Sequence, residues 1–175
     1  MIKRLLSLGA AALAALATAC EDGPATVAGT WRSPAAWSSL VYATTQGPLL
    51  LEVLGDPFRL PAAEFRRTVA DAMSRQTPGR PFAFTTRAED APHATFRVVV
   101  AFNPAPDLDP RKLCGGPVAI MSGGGDRVTL LAAFCEGETM LASVSGWVAK
   151  AADAEDRRFR QLLGQTVRDL FGPPA

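Results

Sequence analysis

The strongest constraint on the fold is a two-residue rhythm in the second half of the chain. Between Ala94 and Phe102, Phe96, Val98, Val100 and Phe102 alternate with Thr95, Arg97, Val99 and Ala101. Between Val128 and Cys135, Val128, Leu130, Ala132 and Phe134 alternate with Thr129, Leu131 and Ala133. Successive side chains of a strand point to opposite faces, so these runs predict strands of a sheet with one face more buried than the other. Glu136-Gly137-Glu138 separates the second run from Thr139–Val148. There Met140, Val144 and Val148 fall on one face and Ser143, Ser145 and Trp147 on the other. So short a glycine-containing connection predicts an antiparallel hairpin. Gly146 within it suggests a bulge or a close backbone contact.

Two segments switch to helical spacing. In Pro61–Gln76, Phe65, Val69 and Met73 make one apolar stripe, and Pro61 suits a first helical turn. In Asp153–Phe171, Phe159, Leu162, Leu163, Val167 and Leu170 make another, with Asp153 as the expected N-cap and Gly172-Pro173-Pro174 as the stop. Ser39–Thr45, Leu49–Leu54 and Phe82–Arg87 read as further strands. Asn103–Gly125, rich in proline and glycine, reads as a long loop in which Val118–Met121 is a candidate short strand. The order is β-β-α-β-β-loop-β-β-α. It predicts an α+β fold: an antiparallel sheet of five or six strands with two amphipathic helices packed on one face.

The first residues belong to a different kind of segment. Lys3 and Arg4 precede an uncharged run of mostly Leu and Ala from Leu5 to Ala19. That is short for a membrane span, which needs about 20 residues, and has the form of a secretory signal peptide. Its exit, Leu16-Ala17-Thr18-Ala19-Cys20, resembles the lipobox of bacterial lipoproteins, with Ala17 standing where Leu is usual. The resemblance implies cleavage before Cys20, a diacylglyceryl thioether on its sulfur, and acylation (commonly palmitate) of the new amino terminus. An ordinary signal peptide cut near Ala19, or an uncleaved anchor, leaves Cys20 without a use. Glu21, in place of the Asp that retains some lipoproteins in the inner membrane, favours the outer membrane.

On this reading residues 1–19 are the signal, 20–37 are the lipidated N-terminus and a tether, and 38–175 form one α+β domain. Removing the signal leaves 16 basic and 17 acidic side chains, a balance of −1. So even a balance gives no electrostatic pull on nucleic acid, and no nucleic-acid partner is expected. Trp31 and Trp37 are unusual in a tether. Trp37 is expected to pack on the domain; Trp31 is left open between that and the membrane interface.

Export also bears on the other cysteines. Cys114 and Cys135 would meet an oxidising compartment, where pairing is the default. Closing a loop of this size is worth about 3 kcal/mol in the chain-entropy model.

Motifs for chemistry are sparse. One histidine in the chain, His93, excludes multi-histidine metal sites, and it reads as an exposed loop residue. Gly123-Gly124-Gly125-Asp126 lacks the Gly-Lys-Ser/Thr of a phosphate loop. Asp107 and Asp109 alone fall short of a calcium loop, and Glu89-Asp90 reads as solvated charge. Ser122, Ser143 and Ser145 have no nucleophile motif around them. No catalytic, cofactor-binding or metal-ligating residue is assigned, and no cofactor is expected. Arg66, Arg67 and Arg75 with Arg157, Arg158, Arg160 and Arg168 would make a mildly basic surface if both helices faced outward from one side of the sheet.

The lipobox and the element order resemble small proteobacterial envelope lipoproteins with mixed α+β domains, a resemblance that carries no active site with it. The expectation is a non-enzymatic accessory or assembly factor, lipid-anchored in the cell envelope, facing the periplasm and meeting an envelope protein partner. A carrier or sensor of an apolar or anionic ligand, using a cleft under the 103–125 loop, comes second. An envelope hydrolase comes third.

Overall fold

The computed structural model describes residues 22–121 and 125–172. Residues 1–19, expected as a signal, together with Cys20, Glu21, Ser122, Gly123, Gly124 and 173–175 lie outside the described residues. The described chain is α+β: a six-stranded open sheet with four helices. In chain order the elements are β1 (Ala25–Ala28), α1 (Ala36–Ala43), β2 (Leu49–Leu54), α2 (Ala62–Met73), β3 (Phe84–Thr85), β4 (Phe96–Phe102), α3 (Lys112–Gly115), β5 (Arg127–Glu136), β6 (Thr139–Ala149) and α4 (Arg157–Phe171).

The strand order is β1-β6-β5-β4-β2-β3. The β1–β6, β6–β5 and β5–β4 pairs are antiparallel, as expected of the sheet. The sheet is nevertheless mixed, because β2 is parallel to both β3 and β4. The connections explain the correction. Only the β5–β6 hairpin has a tight turn, with Gly137 at φ 55°, a conformation such turns favour in glycine. β2 reaches β3 through α2, and a helical crossover returns the chain to the end it left. β4 then enters from that same end on the other side of β2, pairing Leu50 with Arg97.

One face of the sheet carries α1, α2 and α4. Phe65, Val69 and Met73 of α2 and Phe159, Leu162, Leu163, Val167 and Leu170 of α4 pack on Leu49, Leu51, Val98, Val100, Phe102, Ala132, Phe134 and Val144. The two predicted helices thus share a face. The opposite face is not solvated, as one-sided alternation suggested. Val99, Ala101, Leu131, Ala133 and Cys135 are buried there under Leu113, Cys114, Leu108, Val118 and Ile120 of the 103–121 segment. That segment contains α3 and, in place of a strand at 118–121, a single bridge between Pro104 and Ile120.

Four local expectations change. Residues 36–43 are helical rather than extended, because Ala36, Leu40 and Ala43 are the buried positions and their spacing is that of one helix face. The Phe82–Arg87 run forms only the two-residue β3. Asp156, not Asp153, caps α4 by accepting from the Arg158 N–H. β5 and β6 slip register between Phe134 and Cys135, which face Ala142 and Met140. Leu141 is therefore the extra residue, and Met140 turns away from Val144 and Val148 to the loop-covered face. Gly146 is the close contact rather than the bulge: a Cβ there would lie 2.9 Å from Leu162 Cδ1 and 3.0 Å from the Ala25 carbonyl oxygen.

The segment expected as a tether contributes β1. Ala25 to Ala28 pair with Trp147 to Val144, and the Gly29 and Ser33 N–H groups donate to the Ser143 and Leu141 carbonyls. A run without side-chain periodicity still pairs through its backbone, and the β6 edge leaves a ladder to be filled. Among the described residues no helix is long and apolar enough to cross a membrane.

Candidate functional site

A large cleft, about 1050 Å³, lies beside the 103–121 segment at the C-terminal end of β2. Its walls include Glu52, Asp56, Arg66, Arg97, Cys114 and Glu138. Cys114 and Cys135 lie at disulfide distance, with Cα atoms 5.5 Å apart, and tie α3 to β5. Both are buried.

Arg97 stands out by type, since β4 is otherwise apolar. Its guanidinium donates to the Gly137 carbonyl at 2.9 Å and the Cys114 carbonyl at 2.8 Å, and its Nε lies 3.2 Å from Glu52 Oε1. The side chain thereby joins β4, β2, the hairpin turn and α3. Asp56 accepts the Phe58 and Leu60 N–H groups at 2.8 and 2.6 Å and shapes the turn into α2. Its oxygens are thus engaged with backbone. These polar groups hold the cleft's walls together.

A second pocket, about 690 Å³, sits at the far end of the helical face. Trp37, Pro34, Pro78 and Phe171 supply its apolar surface, with Arg32 and Thr77 beside them. Its volume and lining have the character of small-molecule or side-chain binding pockets. The Arg32 guanidinium donates to the Leu170 and Gly172 carbonyls at 2.7 and 2.6 Å and so closes the C-terminus of α4. Burial lowers its pKa from the ordinary guanidinium value.

Trp37 is 44% exposed, contrary to the expectation that it packs into the domain. The reason is the helix: Ala36 and Leu40 take the inward positions, which leaves Trp37 on the outer side. Trp31 is 45% exposed and Tyr42 56%. Sequence reasoning found the two tryptophans but not the pocket beside Trp37. The pocket joins segments near residues 33, 77 and 171, and the usable signal was the Ala36–Leu40–Ala43 stripe that Trp37 stands off.

The other sequence candidates are dispersed. His93 is half-buried and stacks on Tyr42, with ring centroids 4.3 Å apart, away from either cleft. Asp109 accepts the Arg111 N–H, and Asp90 pairs with Arg87 beside Glu89. Asp107 is exposed. Ser143 is buried and Ser145 exposed on β6. Among the described residues no three His, Cys, Asp or Glu side chains are grouped to hold a metal ion.

α2 and α4 do turn outward from one side of the sheet. Their arginines are partly engaged: Arg158 with Asp22 and Asp156, Arg160 with Glu155, and Arg168 with Gln76. Arg157, Arg160 and Arg168 line a small groove of about 350 Å³ on α4. Compared with known protein families, curated proteins and solved structures, the chain matches none.

Proposed function

We propose that this chain is an envelope lipoprotein, anchored through lipid on Cys20 and facing the periplasm, with the outer membrane favoured by Glu21. Its domain acts as a non-enzymatic accessory or assembly factor that holds a protein partner at the Trp37 pocket. The observation that carries the reading is the contrast among aromatic side chains. Phe65, Phe102, Phe134, Phe159 and Phe171 are fully buried, whereas Trp31, Trp37 and Tyr42 stay exposed, Trp37 in the wall of an apolar pocket. Exposed aromatic surface beside a pocket is characteristic of interaction sites, where tryptophan is the residue most enriched among energetic anchors.

A second reading, a carrier of a small ligand, draws on the large cleft beside the 103–121 segment. One experiment in intact cells separates the parts. Cys20→Ser is expected to remove the protein from the membrane fraction and abolish the lipid mass increment. The anchor fails if the variant stays membrane-bound with unchanged mass. With the anchor intact, Trp37→Ala is expected to abolish a crosslinked complex recovered from the envelope without lowering Tm. A complex lost instead on substituting Val118 or Glu138 moves the function to the large cleft.

A further inference from the structure

The described chain begins close to the proposed lipid. Asp22 is two residue steps from Cys20, about 7 Å at full extension. Asp22 is fixed to the domain: its carbonyl accepts the Ala149 N–H at 2.7 Å and its carboxylate meets Lys150 at 3.1 Å. Arg158, in the first turn of α4, lies 3.9 Å from the same carboxylate. Lipid on Cys20 would therefore hold this end of the domain near the bilayer.

The Trp37 pocket lies at the opposite end by two independent measures. Along β6, Asp22 is level with Ala149 and Ser33 with Leu141, a separation of about 25 Å at the rise of a strand. Along α4, Arg158 marks the anchor end while Leu170 and Gly172 meet Arg32 at the pocket, and this 15-residue helix is about 22 Å long.

We infer that the Trp37 pocket opens away from the anchoring membrane, about 25 Å from it by the β6 measure, and that its occupant is an uncharged apolar segment of a water-exposed protein rather than lipid. The inference rests on lipid attachment at Cys20. The pocket's chemistry fits such a segment: among the described residues its one basic group, Arg32, is committed to two carbonyls, and no carboxylate lines it.

The test uses the full lipidated protein in vesicles of phosphatidylethanolamine and phosphatidylglycerol carrying a nitroxide on the lipid headgroup. Each variant keeps one tryptophan and replaces the other two with Phe, and far-ultraviolet circular dichroism confirms that each folds. Trp147, paired with Ala25 near the anchor, serves as the internal reference. The expected result is loss of Trp147 fluorescence, with Trp31 and Trp37 as bright as in nitroxide-free vesicles. Failure to float with the vesicles would sink the anchor reading itself. Flotation with Trp37 quenched as strongly as Trp147 overturns the inference and makes lipid the occupant. Dimerisation in detergent that Trp37→Ala abolishes overturns it in favour of a second copy.

Discussion

Arg97 concentrates several contacts in one side chain. It is 18% exposed and serves two carbonyls and one carboxylate, so replacing it removes charge-assisted bonds and leaves the Cys114 and Gly137 carbonyls unserved. Arg97→Met is expected to cost about 2–3 kcal/mol in urea unfolding. Arg97→Lys should recover less than half, because an ammonium cannot reproduce the planar fork that spans both carbonyls. Asp156 gives a pH-dependent counterpart. Burial alone would raise its pKa, but the Ala152, Arg158 and Phe159 N–H groups and the Arg158 charge outweigh that and hold it below the ordinary 3.8. With the folded value depressed, its stabilisation is complete above the unfolded value and is lost as the pH falls through the folded one. Asp156→Asn, which retains one capping oxygen but not the charge, should therefore lower Tm at neutral pH, converge on the parent in acid and so flatten the fall of Tm on acidification below about pH 4. An acid limb identical to that of the parent would remove Asp156 from the account.

At the scale of elements, what the sequence revealed divides by the range of the forces involved. α2, α4 and the β5–β6 hairpin were legible because each displays its period within its own residues. α1 reads as a strand in the sequence because Val41 and Tyr42 favour strands, while its short stripe of Ala36, Leu40 and Ala43 carries little apolar contrast. The parallel half of the sheet was not legible, since strand direction depends on where a crossover lands. The cover over the loop-side face was hinted at only by the two cysteines. That cover yields a prediction. Leu108, Leu113, Val118 and Ile120 give the 103–121 segment few apolar contacts, and the Cys114–Cys135 link holds its centre to β5. Paired Cys114→Ala and Cys135→Ala substitutions should lower stability by about 3 kcal/mol. Limited proteolysis should then cut first within 103–121, since the segment with the fewest buried contacts opens first. Thiol labelling of the unfolded, unreduced parent should modify neither cysteine.

For the whole molecule, the decisive departure from the sequence reading is where the domain starts. A tether would leave the N-terminal segment energetically idle, whereas β1 completes the sheet edge and joins β6 to α4, where Thr26 donates to Asp169. The site was half legible for the same reason: the tryptophans could be seen, but their setting depends on a segment that shows no pattern until β6 supplies its partner. Two proline substitutions distinguish the alternatives. The Gly29 N–H donates to the Ser143 carbonyl at 2.8 Å. Donors recur at every second residue of an antiparallel strand, which directs the Val27 N–H at β6 and the Ala28 N–H away from it. Val27→Pro is then expected to remove a ladder bond and destabilise the whole domain by about 3 kcal/mol, while Ala28→Pro, on the free edge, costs distinctly less. The Val27 side chain is 66% exposed, so the loss cannot be assigned to its burial. Because the domain is a single packed unit, the Val27→Pro loss should appear as one cooperative transition at lower Tm. Equal and negligible effects of the two prolines would return the segment to the role of a tether, and with it would go the fixed distance between the membrane and the Trp37 pocket.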